Sequence, residues 1–264
     1  MSLERGPVDG PSDYAGAALR AVLRATREGD GALPPDSPVT RDAVCGAVAD
    51  AWTAGRLLAA RGPDSAPARH LLPRLLLEGT QGLAVVLGTR LHGPDAPALR
   101  YGECVRALSR AARRTDPRLA ARLASALPGV TDGSDRLARP LTGVRPSALP
   151  AVLAPLVSVL EEERLTLITL AGAPAGVLVE RYVLLSAAAA CLDRWRQGGR
   201  AGAGTLTGDR ARLVGALSRI AARLGLPVGG PERGDWRGVV FGEVAGPVRS
   251  PAAGFSPASR RPAP

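Results

Sequence analysis

The feature that most constrains this chain is the way Leu, Val and Ala recur every three to four residues. Between positions 209 and 224, Leu213, Val214, Leu217, Ile220, Ala221 and Leu224 mark one wide apolar face of a helix. The same spacing returns in Ala15, Ala18, Leu19, Val22 and Leu23, and in Val44, Val48, Ala51, Trp52, Gly55 and Leu58. Aromatic residues make up only 3% of the 264 residues, so a core must be built from aliphatic side chains. Leu and Ala favour helix over strand. An all-α, antiparallel helix bundle with short connections is therefore expected.

Punctuation by Gly and Pro divides the chain into rods. Helices are expected over 13–27, capped by Ser12 or Asp13; over 41–60, capped by Thr40; and over 66–90, capped by Ser65 and kinked at Pro73. A loop over 92–98 precedes shorter helices over 101–114 and 117–127, and 129–147 reads as a second loop. Helices over 149–171, 175–196 and 209–224, the last capped by Thr207, complete the set. In the second of these, Leu178, Tyr182, Leu185, Ala189 and Leu192 lie on one side. Beyond Leu226 the chain is rich in Gly, Pro, Ser and Arg and reads as a mostly disordered tail. The organisation is thus a tail (1–12), a bundle (13–130), a helical extension (131–225) and a Pro/Gly/Arg-rich tail (226–264).

The formal net charge of +10 invites a nucleic-acid reading. Against it, all 34 basic residues are Arg and the chain has no Lys or Asn, a pattern of GC-rich coding. The Arg are spread along the chain, and few aromatics are available for base stacking. Charge alone gives only nonspecific attraction. The first ten residues lack the apolar run of a signal peptide. The longest uncharged apolar stretches, 146–160 and 165–179, have fifteen residues each, where a spanning helix needs about 20. A cytoplasmic protein that does not enter a membrane is expected.

Chemistry-bearing motifs are sparse. Cys45, Cys104 and Cys191 are too widely spaced for a zinc site or a disulfide framework. His70, beside Leu71 and Leu72, reads as a packed or surface histidine, and His92 as solvated. Gly29-Asp30-Gly31 lacks the Lys and the preceding strand of a phosphate-cradling loop. No Gly-x-Ser-x-Gly elbow occurs, and Glu161-Glu162-Glu163 reads as a solvated helix face.

Three segments in order carry a family likeness: AALRAVLRATREGDGALPPDSPVTRDAVCGAVADAWTAGRLLA, RHLLPRLLLEGTQGLAVVLGTR with its mid-helix Pro73, and ERYVLLSAAAACLDRW, with LVGALSRIAARLG closing the match. Together they resemble the C-terminal helical domain of the flavin-dependent acyl-CoA dehydrogenases, in the actinobacterial branch with a helical extension. The resemblance spans about residues 13–225. It implies a flavin-linked CH–CH oxidoreductase acting on acyl thioesters, with FAD as cofactor. Arg27 and Gly31 stand at the Arg and Gly of the family's Arg-x-x-[Phe/Tyr]-Gly loop and would be its cofactor contacts; Asp30 replaces the aromatic. The family's catalytic base lies in a Glu-Gly-Thr-like loop. The corresponding stretch here, Arg113 to Arg118, offers Asp116, which the local pattern reads as a cap with Pro117 opening a helix. Glu103 and Glu180 are the other carboxylates weighed for that role, and no catalytic residue is assigned. About a dozen residues precede the match, so the family's N-terminal and middle domains are expected to be missing. Activity is then expected only as a split subunit or remnant beside a complementary dehydrogenase subunit. The alternative expectation is a non-catalytic helical module that pairs with itself or with a complete dehydrogenase.

Overall fold

The computed structural model describes residues 10–29, 31–62, 65–113, 118, 121–125, 141, 149, 151–169, 175–197, 208–227 and 235–245. Among these residues every regular element is helical and no strand occurs, as the Leu/Ala periodicity predicts. The elements are α1 (Pro11–Glu28), α2 (Pro38–Arg61), α3 (Ala66–Gly82), α4 (Ala84–Leu87), a 3-10 turn (Gly88–His92), α5 (Ala96–Arg113), α6 (Ala154–Thr169), α7 (Ala175–Gln197), α8 (Gly208–Arg223) and α9 (Trp236–Ala245). The expected loop at 129–147, apart from Leu141, lies outside the described residues; of the helix expected over 117–127, the described residues 118 and 121–125 are helical.

Each rod starts and stops where backbone chemistry requires. Ser37, not Thr40, caps α2: its hydroxyl accepts from the Thr40 amide at 3.2 Å, and Pro38 occupies the first helical position, where no N–H is needed. Ser65 caps α3 as expected, and Asp95 caps α5 by accepting from the Ala98 amide at 2.8 Å. α1 begins a little earlier than expected, after Gly10, and ends at Gly29 in the left-handed region, φ +78°. The single helix expected over 66–90 is instead broken at Leu83, and Gly88 at φ +54° converts the remainder into a 3-10 turn. Ala66–His92 is the stretch of described residues apolar and long enough to cross a membrane by composition. In the fold, half of its most apolar window is buried within the bundle.

Two apolar clusters form the core. The smaller joins α1, α2, α4 and α5 through Ala18, Val22, Val44, Leu83, Val86, Leu87 and Cys104. The larger joins α2, α3, α6, α7, α8 and α9, with α7 at its centre. Residues 182–192 of α7 are all buried, so the one-sided stripe read from the sequence is replaced by burial on every face. Ser186 and the run Ala187–Ala190 make this possible, since small side chains let neighbouring helices approach from all sides.

The tail reading of 226–264 is corrected over Trp236–Ala245. These residues form α9, which packs on α8 and α2. The Asp235 carboxylate caps it, accepting from the Gly238 amide at 2.7 Å. Trp236 and Val240 are buried. Gly215 on α8 makes room for the indole: a Cβ there would lie 2.6 Å from a ring carbon of Trp236.

Candidate functional site

The joint between α1 and α2 carries the residues singled out by the sequence. Arg27 is on the last turn of α1 and is exposed. Gly31 follows with φ +73°, and Asp30 lies outside the described residues. Gly31 is pressed against the turn after α4. A Cβ on it would meet Thr89 Oγ1 at 2.7 Å and Arg90 Cγ at 3.2 Å, while the Thr89 hydroxyl donates to the Gly31 carbonyl at 3.3 Å. Close backbone approach and positive φ thus both require glycine here.

Beside Gly31 lies an open hollow of about 340 Å³, lined by Gly31, Thr89, Arg90, Gly93, Pro94 and Asp95. Arg90 is its cation, and that charge is already answered. Its Nε donates to Asp95 Oδ2 at 2.6 Å, its Nη2 to Glu28 Oε2 at 2.8 Å and its Nη1 to the Ala25 carbonyl at 3.3 Å. The Ala98 amide and Arg90 hold the Asp95 carboxyl below the usual range; Arg90 and Arg24 do the same for Glu28. A pyrophosphate entering the hollow would face Asp95 with no unopposed cation in the lining. The corner on its own therefore does not fit the phosphate portion of a flavin dinucleotide. Arg27 and Gly31 share the joint, but their side chain and backbone do not converge on a common anion pocket.

Of the three carboxylates weighed as a base, the two that are described, Glu103 and Glu180, sit on different helices with different partners. Asp116 lies outside the described residues. Glu103 is exposed on α5 and pairs with Arg100 at 3.0 Å. Glu180, near the start of α7, accepts from His70 Nε2 at 2.7 Å and is bridged by Arg74 at 3.4 Å. His70 is therefore a link between α3 and α7, its side chain only 8% exposed. The hydrogen bond from His70 lowers the Glu180 pKa against the opposing effect of burial. Among the described residues no group of three or more His, Cys, Asp or Glu could hold a metal ion.

A buried polar cluster around Asp50 carries no signal in the sequence. Asp50, in the middle of α2, is 1% exposed and is held by two arginines of α8. Arg219 contributes bonds of 2.8 and 2.6 Å, and Arg223 two of 2.9 Å; Arg223 also reaches Glu78 at 2.9 Å. Gly46 and Gly79 make the space, since a Cβ on either would lie 2.8 Å from Arg219 Nη1 or from Asp50 Oδ2. A second buried carboxylate, Glu163 on α6, pairs with Arg181 on α7, so the acidic run 161–163 is not uniformly a solvated face as the sequence suggested. Both clusters join helices.

No protein-family model, curated protein sequence or solved structure matches this chain.

Proposed function

We propose that this chain is an acyl-CoA dehydrogenase-like helical subunit, cytoplasmic, that works in flavin-linked CH–CH oxidation of acyl thioesters only when joined to a complementary dehydrogenase subunit. The observation that supports the reading is how the likeness falls on the helices. The Arg27–Gly31 loop is the joint between α1 and α2, Pro73 lies inside α3, and the Ala-rich segment is the buried centre of α7.

The chemistry the resemblance implies is removal of a weakly acidic proton alpha to a thioester, for which a flavin held in the assembled complex would supply the hydride acceptor. Base and acceptor must stand on opposite sides of the substrate. The flavin carries the redox step and protein groups position it. Among the described residues the carboxylates nearest the motif, Glu28 and Asp95, are both bound to Arg90. Base and flavin contacts are thus assigned to the assembled complex, with Arg27 as the surface cation this chain brings to it.

A second reading, a non-catalytic helical module, is favoured by the carboxylates: buried Asp50 and Glu163 and half-exposed Glu180 are all engaged in ties between helices. The two readings separate in one assay. Co-expression with a chain supplying the family's N-terminal helical and β domains should give a complex that oxidises an acyl thioester with an artificial electron acceptor. A complex that forms but shows no turnover favours the module.

A further inference from the structure

A second and larger concavity lies at the opposite end of α1 from Gly31. The 18 residues of α1 separate the two by about 27 Å. Its volume is about 610 Å³, within the range of small-molecule sites. The first turn of α1, with α2, α3 and α5, forms its walls: Leu58, Ala68, Leu72, Pro73, Ala107 and Ala111 supply apolar surface. Arg69 on α3 and Arg110 on α5 stand exposed at its edge, and no Asp or Glu is among its lining residues. Neither guanidinium forms an ion pair with a carboxylate among the described residues. This differs from the Gly31 hollow, where Arg90 is neutralised by two carboxylates.

We propose that this groove binds an amphiphilic anion: a single aliphatic chain carrying a carboxylate or phosphate head. Apolar surface from four helices covers the chain, and the two edge arginines take the head, since charge-assisted hydrogen bonds to guanidinium are among the stronger polar contacts. Pro73 shapes the wall as well. It has no N–H to give to the Arg69 carbonyl, so that carbonyl lacks its usual partner within the helix beside the groove. The groove is distinct from the family motif, and the inference does not rest on the dehydrogenase reading.

The test is calorimetric titration of the full chain with dodecanoate and with dodecyl phosphate, each at monomeric concentration, with dodecyltrimethylammonium as the charge-reversed control. Saturable binding of one anion per chain is expected, whichever head is preferred; comparison of the two anions identifies the head. Combined Arg69→Ala and Arg110→Ala should weaken it by about tenfold or more. Both side chains are exposed, so helicity should be unchanged by circular dichroism. Ala107→Trp, which fills the groove, should abolish binding. The proposal is overturned if neither anion binds saturably, if the cationic amphiphile binds as well as the anions, or if binding survives Ala107→Trp.

Discussion

Asp50 on α2 and Arg223 on α8 meet in a two-pronged ion pair, Nη1–Oδ1 and Nη2–Oδ2 both 2.9 Å, with the carboxylate 1% exposed. Arg219 closes the other side of the same carboxylate. Removing the acid leaves two guanidinium groups of α8, one turn apart, side by side against α2 without their shared carboxylate. Asp50→Ala is expected to cost about 3–5 kcal/mol of unfolding free energy, the usual penalty for breaking a buried pair. Arg219→Ala should cost much less, because its side chain is 31% exposed and Arg223 still holds the carboxylate. Urea denaturation of the two variants checks the order.

Glycines of α2 and α3 should respond oppositely to the same substitution. Nothing lies within 4 Å of a Cβ placed on Gly55, so Gly55→Ala should stabilise by about 1 kcal/mol through helix propensity. At Gly79 the added methyl meets Asp50 Oδ2 at 2.8 Å and the Ala47 Cα at 3.4 Å. Gly79→Ala should therefore destabilise, by about 1–3 kcal/mol, the range for overfilled cores. Thermal melts distinguish the signs.

The seating of α9 controls access to a thiol. Cys45 donates from Sγ to the Arg237 carbonyl at 3.2 Å, and burial pushes its pKa up to about 12. Burial also pushes Cys191 to about 12 and raises Cys104. All three thiols should resist an aromatic disulfide reagent in the native protein and react together on unfolding. Gly215→Ala, which drives a methyl into the Trp236 ring, should loosen α9 and make Cys45 alone reactive. Equal reactivity of Cys45 and Cys191 in that variant would contradict this account.

Acid should weaken the tie between α3 and α7. The folded Glu180 carboxyl has a pKa below its ordinary 4.5, chiefly through the hydrogen bond from His70. The unfolded chain then binds more protons in this range, so stability rises with pH there. The contribution is present above the unfolded pKa and is lost as pH falls through the folded one. Glu180→Gln should flatten the fall in urea midpoint between about pH 5 and pH 3. An unchanged slope would remove Glu180 from the acid response.

Most rods were legible because their apolar stripes are regular. The sequence boundaries of α2, α7 and α8 lie close to those of the structure. Cap identity was less legible: Ser37 and Thr40 both suit the start of α2, and Pro38 at the first helical position decides for Ser37. α9 was hidden by the Gly, Pro and Arg around it, although Trp236, Val239 and Val240 recur at helical spacing after a capping Asp235. The Asp50 cluster was out of reach, because an Asp inside an apolar stripe has no local signal of its partners. Arg219 and Arg223 are one turn apart on α8, which hints at a shared target but does not say which helix supplies it. Around the candidate site, sequence located the connection between α1 and α2 that holds Arg27 and Gly31. It missed Arg90, whose contacts with Glu28, Asp95 and Ala25 are set by tertiary structure alone.

The most direct measurement is the visible flavin absorption of the purified chain, alone and after co-expression with a subunit carrying the family's N-terminal helical and β domains. The account predicts a colourless protein alone and a yellow complex with stoichiometric FAD. Stoichiometric flavin on the chain by itself, or two chains that elute separately and colourless, would contradict it.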